Sequence, residues 1–173
     1  MIDISDKNIV LVGFMGSGKT TVSKELGKML GRDVISTDAM IEKQEKAKIA
    51  EVFLEKGEPH FRQLERDIII KISKKTKVII DCGGGIILNP KNIEDLKKNG
   101  VVIFLSAPAE FLYEQIKDQT NRPLLNVENP LNRIKELLNQ RMPLYKQAQY
   151  TIRSDRESIK EICDDILKVV SHA

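Results

Sequence analysis

The sequence predicts an α/β protein, with a five-stranded parallel sheet flanked by helices in three layers. Three observations carry this expectation. Five short apolar runs, at 8–12, 33–35, 77–80, 101–105 and 150–152, recur between longer segments, and four of them are rich in β-branched residues and almost continuously hydrophobic. Strands covered on both faces by helices read this way. The intervening segments carry helical spacing instead. Finally, a glycine-rich turn stands directly between the first run and the first helical pattern.

The elements follow in order. Over 21–30, Val22, Leu26, Met29 and Leu30 share one stripe while Lys24, Glu25 and Lys28 face away, and Gly31 is placed to end the helix. Over 61–72, Leu64, Ile68, Ile69 and Ile72 repeat the pattern. Asn89-Pro90 and Ala107-Pro108 put prolines where helices begin, a position at which the missing N–H does no harm. The segment 118–130 holds Asn, Pro and Glu with little periodic hydrophobicity. It is long for a simple connection and is expected to be a short lid loop, with a plain surface loop as the alternative. No repeat, low-complexity tract or linker interrupts the chain, so 1–173 is expected to form a single domain.

Composition sets outer bounds. The chain has 173 residues, 41% hydrophobic and 31% charged, enough to bury a core without disulfides or structural metal. A net charge of +3 gives no reason to expect nucleic-acid or membrane binding. The pairs Lys74-Lys75 and Lys97-Lys98 read as solvated helix ends. Cys82 and Cys163 stand far apart and outside any metal-ligand spacing, which suits a reducing compartment. The start of the chain lacks the pattern of a secretory signal, and no apolar run approaches bilayer length. A cytoplasmic monomer is the expectation.

The chemistry begins at Gly13-Phe14-Met15-Gly16-Ser17-Gly18-Lys19-Thr20, a match to G-x-x-x-x-G-K-[ST]. Gly13, Gly16 and Gly18 permit the tight path that turns consecutive N–H groups, Ser17 among them, toward an anion. The helix that starts there, through Thr20 and Thr21, adds its positive end. Lys19 is placed to bridge β- and γ-phosphates, and the Thr20 hydroxyl to join a magnesium shell. Four fixed positions match by accident in such a chain on the order of once in a hundred. The pattern therefore points to ATP with Mg2+, without naming the reaction. A guanine-reading Asn-Lys-x-Asp element is missing, and Asp81-Cys82-Gly83-Gly84 is only a weak match to a switch loop. A short chain with a lid favours a small-molecule kinase.

Ligands of open α/β sheets bind beyond the carboxyl ends of the strands. Ser36-Thr37-Asp38 ends the second run and Asp81 through Gly85 the third, while Gly57 to Glu65 forms a turn leading into a helix and Arg141-Met142-Pro143-Leu144-Tyr145 follows the lid. With these motifs in this order the chain resembles the shikimate kinases. The likeness is carried by Gly13–Thr20, Asp38 with Ile41-Glu42, Gly57-Glu58 through Phe61-Arg62 and Glu65, Gly83-Gly84-Gly85, Arg122-Pro123-Leu124-Leu125 and Arg141 to Tyr145. It extends to about residue 150.

The resemblance implies a P-loop kinase fold and ATP-dependent phosphorylation of the 3-hydroxyl of shikimate, a step of aromatic amino-acid biosynthesis. It implies an acceptor-binding segment at about 36–65. Arg62 and Arg141 would hold the acceptor's carboxylate, with Glu65 orienting Arg62. Asp38 would orient, and deprotonate, the attacking hydroxyl. Gly83, Gly84 and Gly85 would let the ring approach, and Arg122 would close over the phosphates. Lys117 and Arg156 occupy the places of the adenine contacts.

One departure stands out. The family pattern is Asp-x-Asp where this chain has Ser36-Thr37-Asp38, and Asp81 is expected to take over the lost metal-associated carboxylate through metal-bound water. Duller readings stay open for each residue. Arg62 and Glu65 could be an exposed ion pair, Asp38 a helix N-cap, the glycines a flexible turn, Arg141 a solvated residue, and Asp81 the partner of a lysine. At the level of function, a kinase for another hydroxy acid such as gluconate and a nucleotide-binding protein without transferase activity remain as alternatives.

Overall fold

The computed structural model describes residues 6–119, 126–156 and 158–172. Its strands are β1 (Asn8–Val12), β2 (Val34–Ser36), β3 (Ile79–Asp81), β4 (Gly100–Ser106) and β5 (Tyr150–Arg153). They form one parallel sheet in the order β2-β3-β1-β4-β5, with β1 at its centre. The helices are α1 (Lys19–Leu30), α2 (Thr37–Glu45), α3 (Ile49–Ile72), α4 (Pro90–Lys98), α5 (Ala109–Ile116), α6 (Pro130–Tyr145) and α7 (Ile159–Val170). No helix among the described residues is long and apolar enough to cross a membrane.

Alternation along β1 shows why both faces had to be apolar. Ile9 and Leu11 pack with Val22 and Leu26 of α1 and Ile162 and Ile166 of α7. Val10 and Val12 point the other way, into a core with Leu64, Ile68 and Ile72 of α3 and Ile93 of α4. Successive side chains of a strand leave on opposite faces, so a strand between two helical layers needs hydrophobic residues at every position. A third cluster joins Phe14 to Leu112 and Ile116 of α5 and Ile134 and Leu138 of α6, seating the turn after β1 against two helices.

All five apolar runs become strands, with ends displaced by a residue or two. Gly31 ends α1 in the left-handed conformation, and Asn89 caps α4 by accepting the Lys91 N–H at 3.1 Å. Met29 does not join the buried stripe of α1. It is 39% exposed, and that stripe consists of Val22, Ser23 and Leu26. The sequence leaves the first half of α3 unannounced, and announces α2 only through the alternative of Asp38 as a helix N-cap. Gly57, with φ 78° and ψ 170°, breaks α3 into two helical halves, so the turn anticipated there is a break between helices. Arg62 stands on the first turns of the second half, against Gly85 beyond the carboxyl end of β3.

Candidate functional site

The turn after β1 wraps an anion-sized concavity. Gly16 (φ 82°) and Gly18 (φ 85°) hold left-handed conformations that other residues resist, and Gly18 leads straight into α1. Lys19, the first residue of that helix, folds its ammonium over the turn and donates to the carbonyls of Gly13 (2.8 Å) and Phe14 (3.0 Å). A helix N-terminus and one ammonium thus converge where a triphosphate would lie, while the Ser17 N–H, expected to face an anion, donates to the Phe14 carbonyl at 3.2 Å. The turn opens on a cleft of about 310 Å³ whose walls include Lys19, Thr20, Thr21, Asp38, Asp81 and Gly83.

The floor of this cleft is acidic. In the sheet register, Asp81 stands beside Leu11 on one side and Ser36 on the other. It is 6% exposed and accepts the Thr20 hydroxyl proton at 2.7 Å. Burial pushes its carboxyl above the ordinary range, opposed by that hydrogen bond and by the charges of Lys19 and Lys24. Among the described residues, Asp81 forms no lysine salt bridge of contact distance. Its partner is the hydroxyl that the sequence assigned to a metal shell. Ser36, across the strand pair, serves the helix instead, since its hydroxyl accepts the Ala39 N–H at 3.2 Å and caps α2. The cap is therefore Ser36 and not Asp38, which lies in the first helical turn with its carboxylate toward the third strand's exit loop.

That loop, Gly83-Gly84-Gly85, organises the side chains beyond the third strand. A Cβ on Gly83 would overlap Oδ1 of Asp38, and a Cβ on Gly85 would overlap the guanidinium of Arg62. Gly84 has open space at the same position, and its carbonyl accepts Nη1 of Arg141 at 3.4 Å. Three charged side chains from α2, α3 and α6 thus meet on three consecutive residues. The Gly83 N–H is committed to the buried Thr37 hydroxyl at 2.7 Å, so Gly83 offers no free donor, and its missing Cβ leaves room for the Asp38 carboxylate.

The two arginines are held differently. Arg62 donates from Nη1 to Glu65 at 2.7 Å and from Nε and Nη2 to Glu58 at 3.2 and 3.0 Å. Its guanidinium also lies 5.5 and 5.7 Å from the ring centres of Phe61 and Phe53. Glu65 is 2% exposed, so the pair is not the surface contact that its spacing alone would allow. Desolvation pushes the Glu65 carboxyl up to about 7, opposed by Arg62 and reinforced by Asp38 and Glu58. Arg141 has the long contact to Gly84 and a place over the Phe14 ring, 5.7 Å from its centre. It is half-buried against the phosphate turn.

The remaining predicted residues divide by position. Lys117 follows Ile116, which would meet a Cβ on Gly16, so it lies at the rim of the phosphate turn, paired with Glu114 at 2.6 Å. Arg156 follows β5 at the same edge of the sheet and pairs with Asp165 at 2.9 Å. Arg122 and the rest of 120–125 lie outside the described residues. Sequence reasoning missed Glu58 on Arg62, Thr37 beneath Gly83 and Phe14 beneath Arg141. Thr37 stood between two residues singled out, and Glu58 and Phe14 stood inside quoted motifs, Glu58 at the i,i+4 spacing of a helical ion pair, but none was given its contact.

Comparison with known proteins agrees with this geometry. The family model for shikimate kinase matches residues 15–171. A shikimate kinase of Thermodesulfovibrio yellowstonii is 46% identical over 162 residues, 94% of each chain. A shikimate kinase of Acinetobacter baumannii, solved in complex with shikimate, superposes with a TM-score of 0.90 at 36% identity, covering 96% of this chain and 94% of that one. A gluconokinase of Sinorhizobium meliloti gives a TM-score of 0.59 at 14% identity over 96% of this chain and 93% of its own, a likeness of fold alone. Family match, full-length identity and shared architecture lead to one assignment: the chain belongs to the shikimate kinase family.

Proposed function

We propose that this protein transfers the γ-phosphoryl group of ATP to the 3-hydroxyl of shikimate, within one kinase domain spanning 1–173. The observation that carries this reading is the loop Gly83-Gly84-Gly85, met by Asp38, Arg141 and Arg62 beside the phosphate turn. One carboxylate that can accept a hydroxyl proton and two guanidiniums that can grip an acid, all within reach of a triphosphate cradle, match an acceptor with one acid group and several hydroxyls. The relatives' activity and the bound shikimate of the Acinetobacter baumannii enzyme support the same acceptor.

In this reading the glycine amides of the turn and the N-terminus of α1 hold the β-phosphate, and Lys19 leaves its carbonyl partners to neutralise charge on the transferring group. Arg62 and Arg141 take the acceptor's carboxylate, which points the ring's hydroxyls toward Asp38. Asp38 accepts the proton of the attacking hydroxyl as its oxygen approaches phosphorus in line with the departing ADP. Arg122, on the expected lid at 118–130, closes over the phosphates and excludes water. Lys117 and Arg156 flank the adenine.

The donor set suits magnesium. Thr20 and Asp81 offer hard oxygen atoms in contact with each other at the cleft floor, and the described residues hold no group of three or more His, Cys, Asp or Glu side chains that would bind a metal alone. Mg2+ takes few protein ligands and keeps water and phosphate oxygens, which matches so sparse a set. Thr20 would ligate it and Asp81 would hold its water, with Ser36 released to cap α2. Bound with ATP, the ion supplies charge neutralisation of the phosphate oxygens.

A coupled ADP-release assay with shikimate and with gluconate tests the assignment. Turnover with shikimate alone is expected. Turnover with gluconate alone would move the protein to another acceptor, and ATP binding without turnover would make it a nucleotide-binding protein.

A further inference from the structure

Tyr145 ends α6 with its side chain fully buried and its ring stacked on Phe104 of β4, centres 4.4 Å apart and planes 5° apart. Its hydroxyl is buried as well, and among the described residues no group completes a hydrogen bond to it. A phenylalanine would fill the same space without leaving a polar atom unsatisfied, so the hydroxyl is not there for packing. Burial pushes the phenol up to about 12, and Arg141, by its charge and its approach to the oxygen, is the group that draws it back. Arg141 stands four residues earlier on the same helix, hence on the same face. Its guanidinium carries five N–H donors, and it is held by a ring stack and one bond of 3.4 Å. Arg62, by contrast, is fixed by two carboxylates. An unsatisfied buried acceptor and a loosely held donor therefore face each other across one helical turn.

We infer that Tyr145 is a positioning residue for Arg141: its hydroxyl oxygen accepts an Arg141 N–H when that guanidinium turns to grip the acceptor's carboxylate. The inference rests on the role proposed for Arg141 above. The hydroxyl and the guanidinium already lie close enough to act on each other, and the turn toward the carboxylate completes the bond, so its stabilisation goes to acceptor binding and leaves nucleotide binding unaffected. Tyr145 thereby gives the α6 side of the site the rigidity that Glu65 and Glu58 give the α3 side.

Tyr145→Phe tests this, with steady-state kinetics for both substrates and thermal denaturation on the same preparations. The KM for shikimate should rise about tenfold, equivalent to about 1.4 kcal/mol. The KM for ATP and kcat should stay within about twofold, and the melting temperature should hold or rise because an unsatisfied polar atom is gone. In an Arg141→Lys background the same change should add less than about twofold, since the fork that the hydroxyl positions is missing. An unchanged shikimate KM with a lower melting temperature would make the hydroxyl structural and overturn the inference. So would an equal effect with and without Arg141. A wild-type protein that leaves shikimate unphosphorylated would overturn the functional reading and this inference together, whereas normal wild-type turnover isolates the inference.

Discussion

The two ends of the cleft are built on different principles. At the nucleotide end, eight consecutive residues supply nearly everything, mostly from the main chain: two left-handed glycines, a helix N-terminus and Lys19 lying across the turn. At the end proposed for the acceptor, Asp38, Arg62, Glu65 and Arg141 come from three helices and meet over a glycine loop that has no side chains of its own. A phosphate cradle of this kind is rigid once the turn has formed. A carboxylate grip of this kind is only as precise as the packing of α2, α3 and α6. The difference teaches that damage at the first end should strike transfer itself, and damage at the second should strike recognition.

The largest expected effect is Lys19→Met, which removes the ammonium lying across the phosphate turn. Transfer should fall by about 10³-fold or more at saturating shikimate. A residual rate within tenfold of wild type, in the ADP-release assay, would refute the role given to that lysine. Next, Arg62→Ala should raise the KM for shikimate about 100-fold, on the scale of a buried charge pair losing one partner, while ATP binding measured by calorimetry stays within about twofold. A large loss of ATP affinity would blur the division between the ends.

Asp81→Asn probes the boundary between them. The magnesium concentration that half-saturates nucleotide binding should rise about tenfold, with no change in shikimate affinity. An unchanged magnesium dependence would return Asp81 to a structural partner of Thr20. Smaller again is the contrast between Gly85→Ala and Gly84→Ala. The first forces Arg62 aside and should raise the shikimate KM by about five- to tenfold, whereas the second meets open space and should change it less than about twofold. Equal effects would mean that loop flexibility, and not close approach, is what the glycines provide.

The smallest effect concerns stability. Desolvation holds the Glu65 carboxyl at about 7 in the folded protein, above its ordinary 4.5. The folded state keeps a proton there that the unfolded chain releases, so this contribution is complete below the ordinary value and is lost as pH rises through about 7. Wild type should therefore lose a few degrees of melting temperature relative to Glu65→Gln between about pH 5 and about pH 8. A difference that stays flat over that interval would place Glu65 as an ionised partner of Arg62 throughout.

Much of this was legible in the chain of letters. The five strands, the parallel sheet and the phosphate turn were visible because each depends on neighbours in sequence: β-branched runs, helical spacing and fixed glycines. Arg62 with Glu65 was visible as a spacing, but its burial was not, since exposure depends on what α2 and the glycine loop place over the pair. Met29 fell on the predicted stripe and yet is exposed, because periodicity locates a helix face without saying how far the neighbouring layer extends. Ser36 read as a loss at the metal site, and only the sheet register put Asp81 beside it. The first half of α3 was hidden by Gly57, whose turn-like signal is real but marks a break inside a longer helical stretch.

By itself, then, the sequence determined the fold class, the glycine-rich turn and the identity of the charged groups that gather on the glycine loop, because hydrophobic period and glycine placement act over a few residues. The tertiary structure alone decided which of those groups are buried, which hydroxyl caps a helix and which loop the arginines share. Burial and close approach are properties of segments far apart in the chain, and they exist only after the helices have packed on the sheet.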